Sequence, residues 1–391
     1  MSNSSDQNKN LAASSNSVIR GHVEKIQIEK TKSLRTRPAE DNLGFGRHFT
    51  DHMFRVDYDK ATGWTSACIA PYQSLVLDPA ACVLHYGQAI FEGMKAYRND
   101  DGRVLLFRPK QNWERMTSSA RRLCMQMPSY ETFLSGLLSL TRIDEDWIPK
   151  SSGAALYLRP TLLGTEAFLG VRPSDQYLFF VIASPVGNYY GGESLKAVNI
   201  WVEETYSRAT PGGVGAAKAA GNYASSLLAA VEAKASGYDQ VLWLDACQKK
   251  YIEEVGTMNV FFYIDDQIIT PPLNGAILPG ITRMSVIELL RSEYAKSQSW
   301  YPSRLDIQER PITMHEVQEA HKQGRLKEVF GTGTAASISP VGSFGLKDQK
   351  LKIGDGKVGP ISSGLYQLLT DIQYGRVPDP FAWTVEVPKE I

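Results

Sequence analysis

The chain has 391 residues, 43% of them hydrophobic, enough to bury one large core or two ordinary ones, and the length favours two or three domains. Lysine and arginine number 42 against 42 acidic residues, so overall charge favours neither nucleic acid nor a membrane surface as partner. No uniformly apolar stretch is long enough to span a bilayer. The 4 cysteines include no Cys-x-x-Cys pair, which argues against a disulfide framework, zinc and thiol redox chemistry and favours reduced, intracellular thiols.

Residues 1–43 read as a disordered or extended tail, its first part rich in Ser and Asn. It has no apolar core for a secretory signal, and Arg20 is the only arginine among the first 20 residues, so a cytoplasmic setting is expected. Strands are predicted over 53–58 and 104–108, with a turn at Asp59-Lys60-Ala61-Thr62-Gly63. Pro109 is read as the end of the second strand, and Asn112 as the cap of a helix running to about 124. A helix over 130–141 and strands over 154–160 and 176–183 follow. The Pro- and Gly-rich run from Ser184 to Glu193 suggests a boundary between a small domain at 44–184 and a larger one at 198–391, joined by a linker at 185–197. Beyond it, strands are predicted over 198–202, 240–244 and 255–264, and a helix from Asn222 to Ala235 with Leu227, Leu228 and Val231 on an apolar face and Gly237 as its stop. A further helix starts near Thr282. Strands and helices are mixed in both halves without regular βαβ alternation, which predicts an α+β fold.

Lys218 stands out in Gly212-Gly213-Val214-Gly215-Ala216-Ala217-Lys218-Ala219-Ala220-Gly221-Asn222-Tyr223. Small neighbours let a planar group approach the backbone, and an amine with few charged competitors can be desolvated into a carbonyl-capturing nucleophile. The same residues also suit a solvated lysine in a glycine loop. Two glycine turns and one arginine suit an anion: Leu278-Pro279-Gly280-Ile281-Thr282 before a helix, Phe330-Gly331-Thr332-Gly333-Thr334-Ala335-Ala336, and Arg115. Each has an ordinary structural reading as well. No Gly-x-Gly-x-x-Gly follows a strand, and the lysine lacks the spacing of a nucleotide phosphate loop. Glu254, at the edge of an apolar strand, needs a cationic partner if it points inward. A lysine, a phosphate cradle and a buried carboxylate together suggest pyridoxal 5'-phosphate.

His85-Tyr86-Gly87-Gln88-Ala89-Ile90-Phe91-Glu92-Gly93-Met94-Lys95-Ala96-Tyr97, Leu106-Phe107-Arg108-Pro109, Leu156-Tyr157-Leu158-Arg159-Pro160, Gly164-Thr165-Glu166, Gly221-Asn222-Tyr223, Glu254-Val255-Gly256-Thr257-Met258-Asn259 and Leu278-Pro279-Gly280 occur in this order from about residue 44 onwards. As an ordered set they resemble the branched-chain amino acid aminotransferases, two-domain fold-type-IV pyridoxal phosphate enzymes. The resemblance implies reversible, ping-pong transfer of an amino group between leucine, isoleucine or valine and 2-oxoglutarate, giving branched-chain 2-oxo acids and glutamate.

By that resemblance Lys218 is the Schiff-base lysine and proton shuttle, Glu254 the partner of the ring nitrogen, and Tyr223 that of the ring oxygen. Arg115, Ile281, Thr282 and Thr334 form the phosphate clamp, and Arg208 lines the cofactor site. Phe91, Tyr86 and Tyr157 resemble the apolar wall against the substrate side chain. Arg159, with Tyr86, Thr257 and the amides of Ala335 and Ala336, would place the substrate carboxylate. Tyr189 or Tyr190 lies in the segment that partly closes the site. Leu169 and Val171 match a loop that completes the neighbouring subunit's pocket, so a homodimer is implied. Ala336 and Ser339 stand where some members carry a redox-sensitive Cys-x-x-Cys, so no thiol switch is expected there. A D-amino-acid transaminase or an aminodeoxychorismate lyase would share the lysine, the glutamate and the clamp. A non-catalytic phosphate-binding protein is the rival from another class.

Overall fold

Two sheets organise the chain, each built mainly from the strand-rich runs of one half of the sequence. The computed structural model describes residues 19–20, 26–187, 195–347 and 349–390. Most of the Ser/Asn-rich stretch and both Tyr189 and Tyr190 lie outside the described residues. In the first sheet Ala155–Gly164 pairs antiparallel with Gln176–Val186, which pairs with His52–Asp59. Met94–Arg98 flanks the other side, and Val104–Phe107 follows it. Helices Pro109–Arg122 and Tyr130–Ile143 cover this sheet, burying Met116, Ala120, Phe133, Leu137 and Leu138 in its core. Ser129 caps the second helix by accepting from the Thr132 amide (3.1 Å).

In the second sheet Val198–Glu203 runs parallel to both Gln240–Leu244 and Ser337–Leu346. Met258–Ile264 runs antiparallel to Ile252–Val255, Gln267–Thr270 and Leu326–Gly333. A third apolar cluster joins the halves, with Tyr97 and Phe107 meeting Phe261, Phe330 and the helix Pro360–Gln373. Strand Thr384–Glu386 returns from the end of the chain to pair with Val104–Phe107. Helices and mixed sheets are thus combined as an α+β fold. Among the described residues no helix is long and apolar enough to cross a membrane.

Several local expectations need correction. The helix read from Asn112 begins at Pro109: Arg108 adopts φ +51° at the N-cap, and Pro109 occupies the first turn, where a missing N–H costs nothing. Asn112 is buried instead, donating to Glu92 (2.8 Å). The helix read from Asn222 is two, Ala220–Ala224 and Leu227–Ala235. Asn222 lies inside the first and donates its amide to the carbonyls of Val214 (2.8 Å) and Ala217 (2.9 Å), so it braces the lysine loop rather than capping a helix. Ala229 and Ala233 bury the second helix, while Leu227, Leu228 and Val231 stand exposed. The strand read over 255–264 is a hairpin turning at Gly256 and Thr257. Residues 330–333 belong to a strand, leaving a turn only at 334–336. Residues 26–43, read as part of a disordered or extended tail, take the extended form where Gln27–Ile28 pairs with Cys68–Pro71. They are tied to the first sheet by the Thr31 amide donating to His52 Nε2 (3.0 Å) and the Arg35 amide to Asp51 (2.7 Å).

Candidate active site

Lys218 follows the glycine loop and enters the helix Ala220–Ala224, with its backbone fixed on both sides. Its amide donates to Ser119 Oγ (2.9 Å), one turn beyond Arg115, and its carbonyl accepts from the Phe91 amide (3.1 Å). Nζ points into a cleft of about 460 Å³ and donates to the Tyr223 hydroxyl at 2.8 Å. The Phe91 ring lies 5.0 Å from Nζ and stacks obliquely on Tyr223 at 4.7 Å. The amine is therefore held by one hydroxyl and two aromatic faces, and among the described residues it forms no ion pair.

Glu254 lines the same cleft and is 3% exposed. Burial pushes its carboxyl up to about 7, against the opposing pull of the Arg208 guanidinium and the Leu278 amide. Arg208 forms an ion pair with Glu254 and donates to the Ala276 carbonyl (2.6 Å). Its place is behind the carboxylate, outside the lining of the main cleft. Arg115 enters from the helix Pro109–Arg122. Its Nε and Nη2 clasp Glu92 at 2.7 Å each, and Nη1 donates to the Pro279 carbonyl (3.1 Å). Burial favours a neutral Glu92, but Arg115 beside it wins and holds its carboxyl below the usual range. Ile281 and Thr282, the first residues of the helix Ile281–Arg291, line the cleft close by, so their amides meet it without partners in their own helix. Thr334 lines the cleft as well.

On the remaining wall Phe91, Tyr157, Arg159, Thr257, Ala335 and Ala336 come together as expected. Arg159 Nη2 donates to the Tyr157 hydroxyl (3.0 Å), and its guanidinium covers the Phe91 ring at 4.7 Å. Gly93 is required below: a Cβ there would lie 1.9 Å from the Tyr157 oxygen. Tyr86, Leu169 and Val171 do not line this cleft. They are exposed together, the Tyr86 hydroxyl donating to the Leu169 carbonyl.

Four contributors had gone unread in the sequence. Phe45, set between Gly44 and Gly46, lines the cleft and meets the Tyr157 ring edge-on at 5.0 Å. Glu92 fixes Arg115, and Ser119 fixes Lys218. Lys95, its amine drawn down to about 8 by burial, donates to the Ala335 carbonyl (2.8 Å) and ties the turn at 334–336 to the first sheet. Glu92 and Lys95 sit in the Phe91-to-Tyr97 motif, where a charged pair inside an apolar run was the available signal. Phe45 and Ser119 carried none.

The donor set fits pyridoxal phosphate. Lys218 suits its carbonyl and Tyr223 the ring oxygen, while buried Glu254 suits a protonated ring nitrogen. Arg115 with a helix N-terminus suits the phosphate. Comparison with known proteins agrees. Residues 89–344 match the amino-transferase class IV family. The chain is 51% identical over 362 residues to branched-chain-amino-acid transaminase 1 of Bacillus subtilis, covering 93% of this chain and 99% of that one. It is 44% identical to a branched-chain-amino-acid aminotransferase of Mycolicibacterium smegmatis, covering 91% of this chain and 97% of that one. The crystal structure of the Escherichia coli branched-chain amino acid aminotransferase superposes with a TM-score of 0.68 at 28% identity, over 82% of this chain and 97% of that one. The chain belongs to the class IV aminotransferases, within them to the pyridoxal phosphate-dependent branched-chain amino acid aminotransferases.

Proposed function

We propose that this chain transfers the amino group of leucine, isoleucine and valine reversibly to 2-oxoglutarate, yielding the branched-chain 2-oxo acids and L-glutamate by a ping-pong route. The observation that carries this reading is Lys218 Nζ, held by Tyr223 in the same cleft as the buried Glu254. Pyridoxal phosphate, when bound, supplies a carbonyl for the amino group and a ring that draws electrons from the substrate Cα. Lys218 Nζ would be the group that takes up and returns the proton exchanged at the substrate Cα. The Tyr223 hydroxyl orients Nζ, and Glu254 with Arg208 behind it keeps a negative charge at the ring nitrogen. Arg115 and the amides of Ile281 and Thr282 hold the phosphate, with Thr334. Phe91, Tyr157 and Phe45 exclude water from the side-chain pocket. The amides of Ala335 and Ala336, with Thr257, face the substrate carboxylate.

A visible spectrum taken before and after L-leucine, then 2-oxoglutarate, tests this. A yellow band that leucine bleaches and the oxo acid restores supports both half-reactions. A yellow protein indifferent to leucine overturns the substrate assignment. In this reading Arg159 serves the distal carboxylate that the second substrate brings into the apolar pocket, and the carboxylate common to all substrates is left to Thr257 and the amides of Ala335 and Ala336. Arg159→Leu is expected to raise KM for glutamate and 2-oxoglutarate roughly 10- to 100-fold, the worth of a hydrogen-bonded charge contact. KM for leucine should change little, and steady-state kinetics with each substrate checks it.

The active unit is a homodimer in this reading. Leu227, Leu228 and Val231 are 62%, 53% and 65% exposed on one helix, and Leu169 and Val171 are 60% and 88% exposed on a loop. Such apolar exposure suits a covered face, with the loop of one subunit closing the partner's pocket. Joint Leu228→Asp and Val231→Asp substitution should give a monomer by light scattering, with lowered kcat. We also infer a small domain at 44–184, a linker at 185–197 and a large domain at 198–391. The change of sheet between Val186 and Val198 supports the linker, while Gln27–Ile28 and Thr384–Glu386 join the first sheet from outside 44–184. Four unpaired cysteines fit a cytoplasmic setting.

A further inference from the structure

Glu254 and Asn259 face each other as Cα partners across the hairpin formed by Ile252–Val255 and Met258–Ile264. Directly opposed residues present their side chains on the same face of a sheet. Asn259 is 4% exposed, and its amide nitrogen has two hydrogens to place. One goes to Glu254 Oε1 (3.1 Å), the other to the Leu278 carbonyl (2.9 Å). The Leu278 amide also donates to Glu254 Oε1 (3.3 Å), which closes a small ring of contacts between the carboxylate, the asparagine and the turn.

That turn leads straight to the phosphate end of the cleft. The Pro279 carbonyl accepts from Arg115, and Gly280 is the N-cap of the helix Ile281–Arg291. Gly280 lies so close beneath the asparagine that a Cβ would fall 1.9 Å from Asn259 Oδ1. One side chain therefore touches both the group assigned to the ring nitrogen and the turn that launches the phosphate helix. We propose that Asn259 is a positioning residue that locks Glu254 to the Leu278-Pro279-Gly280 turn, so that the ring-nitrogen and phosphate contacts keep one fixed spacing. The inference rests on the pyridoxal phosphate reading of the cleft.

Asn259 also bears on the charge of Glu254. The charged groups that act on that carboxylate are Arg208 from the loop after Val198–Glu203, Glu253 beside it on its own strand and Lys218 from the glycine loop. Glu253 opposes ionisation, whereas Arg208 and Lys218 favour it. Burial already pushes the carboxyl up, so loss of a donor tilts it further toward the neutral form. An asparagine that merely braced a hairpin would affect stability without moving this titration.

The test compares Asn259→Ala and Asn259→Asp with the unaltered protein. Three readouts apply: pyridoxal phosphate affinity of the apo-protein by fluorescence titration, the Glu254 carboxyl band followed against pH by infrared difference with Glu254→Gln, and the pH profile of kcat. Asn259→Ala is expected to weaken cofactor binding roughly tenfold. It should also move the carboxyl titration and the acid limb of kcat to higher pH, with kcat falling more than KM rises. Asn259→Asp keeps the shape but sets a second carboxylate opposite Glu254, so it should move the titration further upward, and it serves where the alanine variant does not fold. A folded variant with unaltered affinity, carboxyl titration and pH profile overturns the inference. If the unaltered protein binds the cofactor but leucine does not bleach it, the substrate reading fails, and Asn259 is judged on affinity and titration alone.

Discussion

Lys218→Ala should lower kcat for exchange between leucine and 2-oxoglutarate by about 10³- to 10⁴-fold, the combined loss of a nucleophile and a positioned proton carrier. Lys218 is the one lysine among the described residues that line the cleft. The nearest alternative, the Tyr223 hydroxyl 2.8 Å from Nζ, is a poor base in its neutral form and would have lost the group that orients it. Lys218→Arg should fare no better, because a guanidinium does not give up its proton in a protein. The fold should survive either change: Lys218 is only half-buried, and its backbone contacts to Ser119 and Phe91 do not involve the side chain. Single-turnover absorbance with leucine, alongside borohydride trapping and peptide mass mapping, measures both roles. Near-normal turnover in the alanine variant would remove Lys218 from the mechanism.

Lys218 was legible because its neighbours are small: glycines and alanines around a single amine are a local signal. Glu254 and the Gly280-to-Thr282 segment were readable for a similar reason, each lying at the edge of an apolar or glycine-rich run, whereas Arg115, in a polar stretch of helix, drew its role from the family resemblance. What the sequence concealed is how these groups are held. Glu92 is 23 positions from Arg115 and Lys95 is 240 from Ala335; the first pair exists only once the helix Pro109–Arg122 lies on the first sheet, the second only once the two sheets are packed. The strand read over 255–264 shows how this happens. Gly256 and Thr257 turn the chain so tightly that apolar continuity hides the break, yet that turn brings Asn259 opposite Glu254. Asn222 misled in another way. An asparagine before an apolar run resembles a cap, but its amide was spent on the lysine loop. Likewise Leu227, Leu228 and Val231 have helical spacing, and periodicity alone does not tell a face buried in the core from one turned outward.

Glu254→Gln should reduce kcat by about 10²- to 10³-fold while the protein still binds pyridoxal phosphate, since the lost interaction is a preorganised charge that matters most as electrons flow into the ring. The phosphate clamp is untouched, so affinity should fall much less than kcat. The apo-protein supplies an independent check on the same carboxyl. Its ordinary value is 4.5, and burial raises it to about 7 in the folded chain. A carboxyl raised on folding binds its proton more tightly in the native state, so its contribution to stability is full below 4.5 and is lost as pH rises through 7. The unfolding free energy of the unaltered apo-protein, taken relative to Glu254→Gln, should therefore decline over that interval by on the order of 3 kcal/mol. Taking the difference cancels groups common to both proteins. With cofactor bound the decline should shrink, because a protonated ring nitrogen repays ionisation of Glu254. The gap in melting temperature between holo- and apo-protein should then widen from pH 5 to pH 8 in the unaltered protein and stay flat in the variant. A gap that widens equally in both would mean that Glu254 does not face the ring nitrogen.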